Sequence, residues 1–560
     1  MLMRPGSVTL SRTPIAGSNG AVACGHSEAA EVGLDAIRRG GNAVDAAIAG
    51  AFASFVVEPQ MCGIGGHGRM SIYAADRGQA IGIDHFIRAP DAATPAIYTD
   101  ALKRWRKAGR GGIEGTINTT GHLSVGVPGA IAGLWEAHRH FARLPWHTLV
   151  GPAIELARVG IAVDPRLAAS IAGRADEILQ FAEAAKLLLP DRLPPRPSNA
   201  GGAVHRFDFH DMARTLQAIA ESGAAAFYEG ALAAAIDREM RHAGGLLTAT
   251  DLAGYRPDTF VQPWHEYRGY SYVACGDLIL VECLNILEHF DLAALDPHGV
   301  DAWHLIAEAL AQAFVDNFAH AGDPRSREWP LEGLASKGFA AQRAARILAN
   351  RAQPQYEPGD PWPYQGLTPS VPPPPFDGTT QICAADAEGN FVSLITSLGS
   401  AFGSLVLVPG TGVFLGNAMQ WFDPQAGRAN SVGPGRMPLY AAPVPIFRRG
   451  DRAIGAAGGS GGYRIQTAVL FAVLNHLEYQ MHPQQAIDAP RIHTEGRDLE
   501  IDSRVASSLI DRMRGLGHRV RLVDAPSLPT AFGRPSAVWR AIDGSLVPAS
   551  DARAGGVAAF

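Results

Sequence analysis

The sequence is poor in cysteine and lysine and has no long apolar run and no block of like charge. Each shortage removes a class of protein. The five cysteines (Cys24, Cys62, Cys275, Cys283 and Cys383) are an odd number and include no C-x-x-C pair. That excludes a disulfide scaffold or a zinc knuckle as the organising element and fits reduced thiols in a cytoplasm. The net charge is −6, lysine is scarce and no Lys/Arg run stands out, so neither nucleic acid nor an anionic membrane is an expected partner. No stretch approaches the roughly 18 apolar residues of a membrane span. The opening MLMRPGSVTLSRTPIAGSNG lacks the apolar core of about 7–15 residues that marks a signal peptide. A cytoplasmic location is therefore expected. H-E-x-x-H, EF-hand and Walker A motifs are all missing, and neither a metal nor a cofactor is implied.

What is present suits a large globular protein. Of 560 residues, 47% are hydrophobic and 18% charged, enough to bury a sizeable core. Residues 26–59 read as two helices. Ser27 is placed to cap the first, Gly40 and Gly41 to stop it, and Asn42 with Asp45 to form a capping pair for the second. The second, AVDAAIAGAFASF, is apolar nearly all round and should be buried. RMSIYAAD and AIGIDHF alternate as strands. Residues 300–320 place Trp303, Ile306, Leu310, Phe314 and Phe318 on one helical face. His304 and His320 of that helix read as surface or capping histidines rather than ligands. From Ala352 to Gly378 there are nine prolines in 27 residues. Such a segment favours extended, unpaired backbone and marks the strongest boundary in the chain. Beyond it the pattern is strand-rich.

The stretch PPPPFDGTTQICAADAEGNFVSLITS, from Pro372 to Ser397, ends the proline run at Gly378 and starts a strand with two threonines. Turn residues at 387–390 make a hairpin of it. Pairing Asp386 with Phe391 sets Thr380 opposite Ser397 and Thr379 beside Leu398. This hydroxyl pair has two readings. One is an ordinary hairpin edge. The other is a chain cut between Gly378 and Thr379. A threonine freed at an N-terminus carries nucleophile and base together, because an α-amine titrates near 8 and can take the Oγ1 proton without a histidine.

Two glycine clusters invite chemistry. AAGGSGGYRI (456–465) lies between a strand and a helix and can aim backbone N–H groups at an anion, as an oxyanion hole does. It also matches G-x-S-x-G, with Ser460 as the nucleophile and Asp488 and His493 following in order, although the strand–helix alternation of an α/β-hydrolase is missing. GIGGHG (63–68) contains G-x-G-x-x-G, but it follows a helix and precedes a strand, the reverse of the dinucleotide-binding context.

Together these stretches resemble a known family. GGNAVDAAIAGAFASFVVEPQMCGIGGHGRMSIY, LSVGVPGAIAGLWEAHRHF, DLAGYRP, HLIAEALAQAFVDNFAHAGDP and TTQICAADAEGNFVSLITSLGSAFGS are similar, in that order, to gamma-glutamyltransferase motifs from about residue 20 to 555. The resemblance implies an α+β fold, the four-layer αββα sandwich of N-terminal-nucleophile hydrolases, made as one chain that cuts itself. It implies a large subunit of 1–378, including the proline-rich 352–378 linker, and a small subunit of 379–560, joined as a heterodimer in one globular unit. Thr379 matches the nucleophile, Ser397 the hydroxyl that hydrogen-bonds it, and Gly461 and Gly462 the oxyanion glycines. The substrate is a small amide.

The departures concern the substrate clamp. The family's carboxylate-gripping arginine sits in an FREMAP-like segment; here DHFIRAP puts Phe86 in that place and Arg88 two residues on. Where NNQMDDF supplies an aspartate for the substrate amine, GNAMQWF puts Ala418 and Trp421. Tyr440 and Ala441 replace two serines, Gly399 an asparagine, and VACGDLI a Pro-Pro-Ser-Ser-Gly-Gly stretch. The catalytic groups are retained and the amino-acid clamp is lost. Phe86, Arg88, Trp421 and Tyr440 are the expected acyl-pocket residues, for a group flatter or less polar than glutamyl. Glutathione hydrolysis, an oxamate-amidohydrolase-like or cephalosporin-acylase-like activity, and an unprocessed non-catalytic member are the alternatives.

Overall fold

The structure, a computed structural model, describes residues 10–107, 110–113, 116–197, 205–323, 329–365, 379–438, 442–524, 531–553 and 555–560. Gly378 and Tyr440, predicted at the cleavage point and in the pocket, lie outside the described residues.

Two antiparallel sheets stack face to face. The seven-stranded sheet runs, in spatial order, Gly556–Ala559, Gly20–Cys24, Thr380–Asp386, Phe391–Ser397, His67–Ala74, Gln79–His85 and Asp258–Val261. The six-stranded sheet runs Leu546–Ser550, Arg534–Arg540, Arg452–Ser460, Ile446–Arg449, Tyr270–Val273 and His265–Tyr267. Small side chains fill the space between them, among them Ala21, Ala23, Cys383, Ala385 and Ala456. They let the sheets come close enough for Ser393 Oγ to donate to the Ala457 carbonyl at 2.7 Å. Helices Ser27–Arg38 and Ala43–Val57 pack outside the first sheet, on Ile382, Ala384, Val392 and Leu394. Helices Leu278–Leu287, Val300–His320 and Arg464–Leu477 pack outside the second, on Phe447, Ala537 and Trp539. The result is the expected αββα sandwich.

The helix Ala43–Val57 shows why its composition is what it is. All fifteen residues are buried, so any polar face would be stranded from water. Its start is held by the predicted capping box: Asn42 Oδ1 accepts from Val44 N and Asp45 N, and Asp45 accepts from Asn42 N at 2.8 Å. Phe52 sits edge-on to Phe55 and Trp146, with ring centroids 5.7 and 5.2 Å apart. Truncating such a ring costs about 3–5 kcal/mol.

Four expectations need correction. His26, not Ser27, caps the first helix, its Nδ1 accepting from Glu28 N. His304 is buried and bonded to His518 and the Leu348 carbonyl, not placed at the surface. The proline segment is tied down over its described part: Gly359 N donates to Asp316, and Tyr356 OH donates to Glu308. The hairpin is tighter by one residue, so that Ala385 pairs with Phe391 and Thr380 with Thr396. Asn390 causes the shift, because Asp386 N donates to its carbonyl while Asp386 takes its N–H and side-chain amide. Among the described residues, no helix is long and apolar enough to cross a membrane.

Candidate active site

The corrected register brings Thr379 itself, rather than Thr380, against Ser397. Thr379 immediately precedes the Thr380–Asp386 strand, fully buried, and its Oγ1 donates to Ser397 Oγ at 3.4 Å. Alternation decides what each threonine faces. Thr379 shares a side with Gln381 and Cys383, which meet the opposite sheet; Cys383 Sγ reaches the Ser536 carbonyl. Thr380 shares a side with Ile382 and meets the helical layer, where its Oγ1 donates to Glu58 at 2.6 Å.

The pairings extend this into a row across four strands. Ser397 lies opposite His67, and Gly68 opposite His85. Side chains directly opposite in a sheet share a face, so Thr379, Ser397, His67 and Phe86 line up. The His67 and Phe86 rings meet edge to face at 4.6 Å. Trp421, from the turn Ala418–Trp421, closes over them at 6.1 and 6.4 Å. Gly399 joins the hydroxyl pair to the rings. Its N–H donates to Ser397 Oγ at 2.9 Å. Its φ is +102°, and a Cβ there would overlap Asn417 Oδ1 and lie 3.1 Å from the Trp421 ring. Only glycine meets those conditions.

Gly461 and Gly462 follow the strand Arg452–Ser460, with φ of +125° and +66°. Their carbonyls accept from Arg464 N and Ile465 N, which turns the chain into the helix Arg464–Leu477. A chain of contacts links this turn to the threonine end of the sandwich. Arg534 Nε donates to Ser460 Oγ at 3.1 Å, and its Nη2 reaches Met61 Sδ. Arg534 also feels the charge of Glu58, the acceptor of Thr380. Burial brings the Arg534 guanidinium down to about 10, so it stays charged at neutral pH.

Ser460 has no triad. His493 bonds Thr467 and Glu495, and Asp488 bonds Ser11 and Gln484. The antiparallel sheet further excludes the α/β-hydrolase reading. No thiol near the row is poised as a nucleophile either: burial pushes Cys24 and Cys62 well up, and Cys383 to about 12.

Arg88 is engaged. Its Nη2 pairs with Asp258 at 2.5 Å, and its guanidinium lies 5.9 Å from the Tyr255 ring. Burial works to lower it, but Tyr255, Asp258 and Asp84 outweigh burial and hold it above its ordinary value. Its Nη1 is buried with no hydrogen-bond partner among the described residues.

Two site residues escaped sequence reasoning. His67 is the odd residue of GIGGHG, a stretch weighed there only as a glycine loop. Counting back by two from Arg69 along the strand would have put it on the Thr379 face. Burial, then the nearby His85, holds its imidazole well below the usual range, so the ring is neutral. Glu58 follows the second helix, and nothing local in the sequence marks it.

An αββα sandwich with a buried hydroxyl at the head of a central strand is the architecture of the N-terminal-nucleophile hydrolases. Within that class the chain belongs to the gamma-glutamyltranspeptidase family, whose profile matches residues 29–560; the family comprises hydrolases and acyltransferases of amide bonds. The chain is 34% identical over 562 residues to the acylase ACY 1 proenzyme of Pseudomonas sp. (strain SE83), covering 99% of this chain and 95% of that protein. It is 32% identical over 515 residues to the glutathione hydrolase proenzyme of Bacillus subtilis (strain 168), covering 90% and 85%. The crystal structure of cephalosporin acylase from Bacillus halodurans superposes with a TM-score of 0.87 at 29% identity, covering 100% of this chain and 99% of that one.

Proposed function

We propose that the protein is a self-processing threonine amidohydrolase that prefers a non-glutamyl acyl group. The observation that carries this reading is the Thr379–Ser397 hydroxyl contact at the head of a central strand. Cleavage between Gly378 and Thr379 yields fragments 1–378 and 379–560. They stay together as a heterodimer, because the Thr380–Asp386 strand pairs with Gly20–Cys24 over five residues. The freed α-amine takes the Thr379 Oγ1 proton as Oγ1 attacks the substrate carbonyl. Ser397 orients Oγ1 and is itself held by the Gly399 N–H. The N–H groups of Gly461 and Gly462 hold the oxyanion. The amine leaves with the proton, and water then cleaves the threonyl ester and regenerates Oγ1.

The acyl pocket is the ring cluster of Phe86 and Trp421, with His67 in contact with both. A zwitterionic glutamyl head placed there would desolvate an unpaired charge, at a cost of about 3–5 kcal/mol. Arg88 keeps one N–H edge for a single carboxylate, while Asp258 offsets part of its charge. The aromatic wall favours an acylase-like substrate over glutathione, in keeping with the names of two of the relatives. The free, buried cysteines fit a cytoplasmic enzyme.

The test is denaturing mass analysis of wild type beside Thr379→Ala, followed by an amide panel that includes glutaryl, aryl-acetyl and γ-glutamyl anilides. Two fragments with Thr379 as a new N-terminus, an intact mutant chain and faster release from a non-glutamyl anilide are expected. An intact wild-type chain refutes the self-processing mechanism, and faster γ-glutamyl release refutes the pocket reading.

A further inference from the structure

His304 and Glu308 stand one turn apart on the helix Val300–His320, so they share a face. His518 reaches them from the turn before the strand Val520–Val523. One donor atom from each lies within 4.8 Å of the other two, and all three residues are largely buried. The hydrogen bonds orient the donors. His304 Nε2–H donates to the Leu348 carbonyl at 2.8 Å, which leaves Nδ1 as the lone-pair nitrogen. Nδ1 faces His518 Nε2 at 2.8 Å, so in the empty cluster the proton between them belongs to His518. Tyr356 OH and the Gln353 side-chain amide donate to the Glu308 carboxylate at 2.5 and 3.1 Å. Outer partners that orient the inner ligands, as His304 and Glu308 have here, are the usual arrangement of a metal centre. His518, Gln353 and Tyr356 also line a cavity of about 560 Å³, which gives an ion a way in.

We infer that His304, Glu308 and His518 form a binding site for a divalent transition-metal ion of the zinc class. Two imidazoles and one carboxylate suit Zn²⁺, Co²⁺ or Ni²⁺, whereas Mg²⁺ and Ca²⁺ call for oxygen ligands. Zn–N bonds of about 2.0–2.1 Å put tetrahedral nitrogens roughly 3.3 Å apart. The rings must therefore part by roughly 0.5 Å, and the shared proton moves to His518 Nδ1 as the ion enters. Of the three ligands, His518 is the one that lines the cavity. His304 and Glu308 precede the proposed cut and His518 follows it, so the ion would clamp the two fragments together. That consequence rests on the proposed processing; metal binding does not.

The experiment uses untagged full-length protein stripped by chelator and titrated with Zn²⁺ by calorimetry, and separately with Co²⁺ by visible absorption. One tight Zn²⁺ per chain is expected, together with a Co²⁺ ligand-field band that Zn²⁺ abolishes. His518→Ala and His304→Gln should each weaken Zn²⁺ binding by more than about 10-fold. The chain has 19 histidines, so binding that survives both variants identifies another site and overturns the inference. If a variant unfolds by circular dichroism, the wild-type titrations decide: no stoichiometric Zn²⁺ and no Co²⁺ band overturns it.

Discussion

Glu58 provides a test of how the head of the strand is held. It lies at the C-terminal end of the helix Ala43–Val57 and is 1% exposed. Its Oε2 accepts from Thr380 Oγ1 at 2.6 Å, and its Oε1 lies 3.7 Å from Arg166 Nη1. Thr380 and Thr379 face opposite sides of the sheet, so Glu58 fixes the strand from behind while Thr379 faces Ser397. Thr380→Val keeps the shape and removes the donor. A hydrogen bond to a buried carboxylate contributes about 1.5–3 kcal/mol. If all of it is needed to hold Thr379 for the proposed self-cleavage, that cut should slow by about 10- to 150-fold in the variant. Glu58→Ala goes further, because it removes a carboxylate that lies against both Arg166 and Arg534 and leaves Arg166 to Asp164; it should cost about 3 kcal/mol of stability. The assay is a time course of fragment appearance on denaturing gels, beside urea unfolding of the same samples. Thr380→Val that cuts at the wild-type rate with an unchanged midpoint refutes the argument. A lowered midpoint with an unchanged cutting rate refutes the positioning role and leaves only a structural one.

Gly399→Ala should lower kcat and cost more than about 1 kcal/mol, because φ is +102° and Asn417 occupies the space. A wild-type kcat and Tm would contradict the link from Gly399 through Ser397 to Thr379. Acid should destabilise the protein through His85. Burial, opposed by the charge of Asp84, brings His85 down to about 4 from an ordinary 6.5. The unfolded chain takes up that proton below about pH 6.5 and the folded chain only near 4. Stability is therefore full above 6.5 and falls as pH drops through that window, by up to about 3 kcal/mol. Urea midpoints from pH 7 to 4 should show the slope, and His85→Leu should flatten it; equal slopes in both proteins would rule His85 out.

What was legible in the sequence was whatever local pattern decides. The capping box of Asn42 and Asp45, the uniformly apolar helix after it and the hairpin through Thr380 and Phe391 rest on contacts a few residues long. The one-residue register error has the same origin. It arose because Asn390 replaces a strand pair with side-chain bonds to Asp386, which alternation cannot show. The error mattered, because strand pairs repeat every two residues and a slip of one changes which hydroxyl meets Ser397. His304 was misjudged for a related reason. Its partners Leu348 and His518 lie 44 and 214 residues away, and a histidine on a helix looks the same in sequence whether it meets water or another imidazole. Glu58 and His67 belong with it. A carboxylate after a helix and a histidine in a glycine run acquire meaning only once strands from both sides of residue 378 lie side by side. The family resemblance pointed to Thr379 and Ser397 through their motif positions, and the structure brings their hydroxyls to 3.4 Å. The rings of His67, Phe86 and Trp421 are joined by tertiary contact alone.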